Sequence, residues 1–273
     1  MIIEPDLERN INSTVQTSLI NQHWILIGTT VQGSHHLSEG VPCEDAHAIS
    51  SIGDVLLIAV ADGLGSAPQA GCGALLAVQE ALDTARNSLF PEIPDNKEKW
   101  ANVLKTSFSN ARMRLEQEAE HSESPLADFS TTLNLILLTS EWLAIANIGD
   151  GAVILQDADG LFSTICLPQV GEYANETLSL CLSDALNLTG YQVNQIKVQA
   201  LGIISDGLQH LSLHTVDFSP HIPFFAPLFS QLSKITNPKR AAESLAGFLS
   251  SGKVNELSGD DKTLILVGRL NNG

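Results

Sequence analysis

Several strand-like runs in this sequence are apolar on consecutive residues rather than on alternate ones. A strand of that kind must be covered on both faces. The strand-like runs are Trp24–Gln32, Val55–Ala61, Thr131–Thr139, Trp142–Ile148, Val198–Ser205 and Thr263–Leu270, rich in Val, Ile, Leu and Thr and bounded by Gly, Asp, Asn or Ser. Two helical stripes lie between them, Leu75, Val78, Leu82 and Ala85 within Ala70–Arg86, and Val103, Phe108, Met113 and Leu115 within Glu98–Glu120. A third helix is expected from Asn237-Pro238, a capping residue followed by proline at the first helical position, to about Leu249. The short turn between Thr139 and Trp142 makes a hairpin, which argues against a purely alternating βαβ fold. One domain over residues 24–273, with two sheets and flanking helices, fits best. Residues 1–23 read as an N-terminal extension, a tail or short helix, and Leu167–Val198 as an irregular insertion near a working face.

Charge narrows the partners. Fourteen basic residues against 31 acidic ones give a net charge of −17 with His neutral. A field of that sign repels nucleic acid and anionic lipid and suits multivalent cations. The opening residues, Met1 to Asp6, are acidic and lack an apolar leader segment. The most apolar stretch, Leu133–Ile148, is interrupted by Thr139, Ser140 and Glu141, so no membrane span is expected. Cys43, Cys72, Cys166 and Cys181 show no C-x-x-C spacing, which points to reduced thiols in a cytoplasmic protein, and a monomer is expected.

The acidic residues gather at the ends of the apolar runs. Asp62-Gly63 follows Val55–Ala61, Asp206-Gly207 follows Leu201–Ser205, Glu44-Asp45 precedes an apolar segment, and Asp260-Asp261 precedes the last strand. A carboxylate there is costly unless a cation meets it, and no Arg or Lys cluster is adjacent in sequence. Oxygen-only donors favour Mg²⁺ or Mn²⁺ over zinc. Any one Asp-Gly pair reads equally well as a turn; four converging sites do not.

Taken in order, Gly40-x-x-Cys43-Glu44-Asp45-Ala46, Val60-Ala61-Asp62-Gly63-x-Gly65, Ser130-Thr131-Thr132, Ile148-Gly149-Asp150, Ser205-Asp206-Gly207 and Asp260-Asp261-x-Thr263 resemble the metal-dependent serine/threonine phosphatases of the PP2C type. Residues 34–45 are similar to a bacterial branch of that family. The resemblance implies an α+β fold, a four-layer αββα sandwich of two mainly antiparallel sheets flanked by helices. It implies hydrolysis of phosphoserine and phosphothreonine in proteins by a metal-activated water, with no covalent phospho-enzyme. It also implies two Mn²⁺ or Mg²⁺ ions: Asp62 bridging both, the Gly63 carbonyl and Glu44 completing one site, Asp206 and Asp260 the other. Asp45 would orient water and ligands, and Asp261 would support rather than ligate. Asp128 would share a third ion with Asp206, its alternative role being to cap the turn. Two positions depart from the family pattern. Gly40 stands where many members carry a phosphate-holding arginine, with His36 as the substitute, and Ser130 replaces a small glycine.

Other readings are weaker. Gly63-Leu64-Gly65-Ser66-Ala67-Pro68 has proline where a dinucleotide fingerprint needs its third glycine. Gly252-Lys253 is followed by Val254, not Ser or Thr, so it is no phosphate loop. None of the four cysteines has an arginine six residues on, as a cysteine phosphatase requires. His210 and His214 lack a third zinc ligand beside them. The reading from another class is a catalytically inactive relative acting as a binding and regulatory module.

Overall fold

The computed structural model describes residues 14–169 and 177–270. In chain order the elements are β1 (Val15–Ile20), β2 (Trp24–Val31), α1 (Ser34–Glu39), β3 (Ala46–Ile52), β4 (Val55–Ala61), α2 (Ala70–Ser88), α3 (Lys97–His121), β5 (Leu133–Leu138), β6 (Trp142–Ile148), β7 (Ala152–Asp157) and β8 (Phe162–Cys166). There follow α4 (Ala185–Leu188), β9 (Gly190–Gln195), β10 (Val198–Ile204), α5 (Gln209–Ser212), α6 (Ile222–Leu232), α7 (Pro238–Leu249), α8 (Gly252–Asn255) and β11 (Lys262–Arg269).

The strands make two sheets, ordered β1-β2-β11-β10-β7-β8 and β3-β4-β5-β6-β9, with antiparallel pairing throughout. Three apolar layers explain the order. Trp24, Leu26, Ile58, Ile136, Ile203 and Ile265 pack between the sheets. Leu57, Leu135 and Ala146 pack outward against α2 and α3. Ile25, Ile27 and Leu266 do so against α6 and α7. This is the expected four-layer α+β sandwich. Strands β2, β4 and β5 are buried along their whole length because each has a layer on either side.

The helices need finer description. The buried face of α2 is built on Ala70, Ala74, Ala77, Val78, Ala81 and Ala85, small side chains that let α3 approach closely. Met113, expected on the buried stripe of α3, is 47% exposed, and Ala111 and Leu115 carry that face instead. Asn237 caps α7 as its sequence indicates, its side-chain oxygen accepting the Arg240 N–H at 3.1 Å.

At the N-terminus the expectation of a tail or short helix is corrected. Residues 1–13 lie outside the described residues, but Val15–Ile20 is an edge strand paired with β2 from Val15↔Thr30 to Ile20↔Ile25. The segment after Leu167 is only partly irregular. Residues 170–176 lie outside the described residues, and Gly190–Gln195 closes the second sheet as β9.

Candidate metal centre

The strand-end carboxylates converge at one end of the sandwich. Asp62 leaves β4 and is pinned there. Its N–H donates to Thr132 Oγ1 (2.9 Å), and its carbonyl accepts the Thr132 N–H (2.8 Å) and the Thr131 hydroxyl (2.9 Å). Ser130 does not open this turn. The Leu64 N–H donates to the Ser130 carbonyl at 2.9 Å, and Gly63 bridges Thr131. Asp150 sits between β6 and β7, where Gly149 takes φ 106°, a left-handed conformation that only glycine holds without strain. Asp206 follows β10 directly.

Carboxylate oxygens of Asp62, Asp150 and Asp206 lie within 4.8 Å of one another, and all three residues are half-buried. They line a cleft of about 450 Å³ together with His36, Glu44, Gly63 and Asp260. Asp128 is on the 3₁₀ turn before Ser130 and is not among the lining residues; its carbonyl accepts the Gln69 N–H at 2.8 Å. No lysine or arginine lines the cleft among the described residues.

Burial sets the electrostatics. It pushes Asp45 up to about 8, with the charges of Asp261 and Asp206 adding to the effect. Asp206 rises to about 6 through burial and the charges of Asp150 and Asp260, against a hydrogen bond with Asp62. Asp62 lies well above the usual carboxylate range, from burial and the neighbouring charges of Asp45 and Asp206. Burial also raises Asp150 and Glu44. Without cations, this floor holds protons it would not hold in water.

The donor set fits a hard divalent cation. Asp45 Oδ2 accepts the hydroxyls of Ser205 (2.8 Å) and Thr263 (2.7 Å), while its Oδ1 is buried with no protein partner. Asp150 Oδ1 and Asp206 Oδ1 are likewise buried and unpartnered. Three buried carboxylate oxygens at one end of the sandwich thus have no partner among the described residues, and a cation or its water would satisfy them. Oxygen donors are what Mg²⁺ and Mn²⁺ take.

The neighbouring carboxylates behave differently. Asp261, 2% exposed, accepts the N–H groups of Gly33 and Glu44, each at 2.6 Å, and His36 Nδ1 lies 2.9 Å from its Oδ2. His36 Nε2 is 3.9 Å from Glu44 Oε2. Burial lowers the imidazole's pKa, but Asp261, Glu44 and Asp260 outweigh it, and the net direction is upward. Asp260 lines the cleft on a loop held by Lys262, whose buried ammonium donates to the carbonyls of Asp260 (2.6 Å) and Ser258 (3.2 Å). Burial pushes the Cys43 thiol far up, with the charges of Asp45 and Asp261 adding, so it is no nucleophile.

Sequence reasoning quoted Asp150 within a motif but gave it no role. Asp150-Gly151 has the same strand-end signature as Asp62-Gly63 and Asp206-Gly207, which is the signal that finds it. Thr177, whose hydroxyl donates to Asp150 Oδ2 at 3.1 Å, comes from a segment with no such signal.

Comparison with known proteins gives the family and the fold. A family model described as Protein phosphatase 2C matches residues 32–250. Serine/threonine-protein phosphatase 3 of Escherichia coli (strain K12) is 35% identical over 252 residues, covering 89% of this chain and 98% of its own. Among solved structures, a bacterial serine phosphatase superposes with a TM-score of 0.64 at 14% identity, covering 91% of this chain and 98% of that one. The catalytic domain of the phosphatase PstP, solved with two manganese ions, gives 0.56 at 15% identity, covering 91% and 99%. The chain belongs to the protein phosphatase 2C family of serine/threonine phosphatases.

Proposed function

We propose that the protein hydrolyses phosphoserine and phosphothreonine in protein substrates by direct attack of water, with no covalent phospho-enzyme. The observation that carries this reading is the cleft floor of Asp62, Asp150 and Asp206 with its unpartnered buried oxygens. These three residues would hold two Mn²⁺ or Mg²⁺ ions, with Glu44, the Gly63 carbonyl and Asp260 completing the sites from the same cleft. A neighbour solved with manganese supports that choice. Bound divalent ions supply charge that offsets a phosphoryl group's own and acidify water.

The chain's own groups do the positioning. Asp45 turns its free Oδ1 away from the two hydroxyls that hold its Oδ2, and would orient a water by accepting its proton. His36 replaces the missing arginine as the grip on the substrate phosphate, its ring set by Asp261 while it lines the cleft. The inert Cys43 thiol supports displacement by water rather than by a side chain. No helix among the described residues is long and apolar enough to cross a membrane, and no disulfide joins the four cysteines. We place the enzyme in the cytoplasm as a monomer.

The test is hydrolysis of an aryl phosphate and a phosphothreonine peptide with Mn²⁺ and with chelator. Turnover that the chelator abolishes and Mn²⁺ restores is expected. Full activity in chelator overturns the metal reading, and no activity with metal bound leaves a binding module.

A further inference from the structure

Asp45 is the end of a longer line of polar groups. Thr263 Oγ1, which donates to Asp45 Oδ2, is 2.7 Å from Thr30 Oγ1, and both are buried. Thr30 Oγ1 is 2.6 Å from His47 Nδ1. His47 Nε2 is 2.9 Å from Thr17 Oγ1 on the edge strand β1. The line runs from β1 to β3 in the other sheet, back to β2, along to β11 and into the cleft. Gly28 stands opposite Thr17 in the β1–β2 register, and a Cβ there would lie 2.8 Å from the Thr17 hydroxyl. The glycine leaves that hydroxyl room to reach the ring.

With Asp45 ionised, the carboxylate fixes the direction of every proton. A threonine hydroxyl has one proton and can donate once. Thr263 gives its proton to Asp45, so Thr30 must donate to Thr263. Thr30 then has only lone pairs for His47, so His47 carries its proton on Nδ1. Its Nε2 is an acceptor, and Thr17 donates to it. Burial keeps the ring neutral, lowering its pKa to about 4, as a single-proton link requires. Successive donors aligned toward one anion polarise each other.

We propose that Thr17, His47 and Thr30 are positioning residues for Asp45, acting through this one-way hydrogen-bond chain that ties the N-terminal edge strand to the cleft floor. The chain commits Asp45 Oδ2 to Thr263, beside Ser205, and leaves the buried Oδ1 as the oxygen that would be available to orient a water. The proposal rests on the phosphatase reading for what Asp45 does, but not for the chain itself.

The test reads the two separately. Imidazole ¹⁵N shifts of the full chain, recorded at about pH 9.5 so that Asp45 is ionised, report the His47 tautomer without any turnover. Wild type is expected as Nδ1–H. Thr30→Val removes the acceptor for that proton, so the ring is expected to switch to Nε2–H and donate to Thr17. Thr17→Val is expected to keep Nδ1–H. Calorimetric Mg²⁺ titration of Thr30→Val is expected to show about tenfold weaker affinity, the low end for a residue behind the ligands. Thr30→Ser restores both. In turnover, Thr30→Val lowers kcat at saturating metal and leaves KM unchanged. Nε2–H in the wild type overturns the chain whatever the variants do, and so does unaltered Mg²⁺ affinity in folded Thr30→Val. If Thr30→Val does not fold, His47→Leu replaces it in the calorimetry, with the same threshold. A wild type with the Nδ1–H tautomer but no phosphatase activity removes the functional reading and leaves the chain standing.

Discussion

Asp261 and Asp206 stand close together at the same end of the sandwich, yet they answer burial in opposite ways. Asp261 has both oxygens engaged, by the backbone of Gly33 and Glu44 and by His36. Asp206 keeps a buried oxygen with no partner, as Asp150 does. The first arrangement is complete as protein; the second is complete only with a ligand. Burial and negative charge are common to both, so neither identifies a cation site. What separates them is whether the backbone supplies donors, and at Asp261 it does because the loop after β2 passes directly over it.

That contrast can be broken by substitution. The largest effect is expected at Asp62. Asp62→Asn should lose several orders of magnitude in kcat and the ability to pair two ions in calorimetry, because it lies at the centre of the acidic floor. Near-normal turnover in this variant would remove the floor from the chemistry. Asp261→Ala should do the reverse. Losing three hydrogen bonds to a carboxylate, at about 1.5 kcal/mol each, should cost about 4.5 kcal/mol in urea unfolding, while kcat should fall only about tenfold.

His47 extends the comparison to a group whose partners are all neutral. Its pKa is lowered to about 4 by burial alone, so the folded state binds the proton less well than the unfolded chain does. Stability from this group is therefore fully present above about pH 6.5 and is lost as the pH falls toward 4. Measured by urea unfolding in chelator, the stability difference between wild type and His47→Gln should shrink by about 2 kcal/mol from pH 7 to pH 5. A difference independent of pH would mean that the ring titrates alike in the folded and unfolded chain. The smallest effect is expected at His36. His36→Ala should raise KM several-fold for a phosphopeptide with less change in kcat, and an unchanged KM would confine the ring to supporting Asp261.

Apart from β7, which is not among the runs read from sequence, the central strands and the strand-end acids were legible because both carry strong signals. A fully covered strand has few residues to vary, so Val55–Ala61 and Trp142–Ile148 appear in the structure with the ends read from sequence. The edge strands β1, β3, β8 and β9 were not legible. Each has one open side, and sequences such as Val15–Ile20 and Gly190–Gln195 mix polar and apolar residues without a clear period. In the site, Glu44, Asp62, Asp206 and Asp260 stood out beside apolar runs. Thr177, and the service of Ser205 and Thr263 to Asp45, depend on contacts across long sequence separations that no local pattern encodes.

Among the described residues no lysine or arginine lines the cleft, and this has a consequence for the order of events. A phosphate dianion approaching the bare floor meets carboxylates and no fixed counter-charge beyond the histidines. In a chain of net charge −17 the surrounding field opposes it as well. Cations must therefore arrive first, and substrate occupancy becomes a function of their concentration. A phosphopeptide should therefore show no measurable binding in chelator.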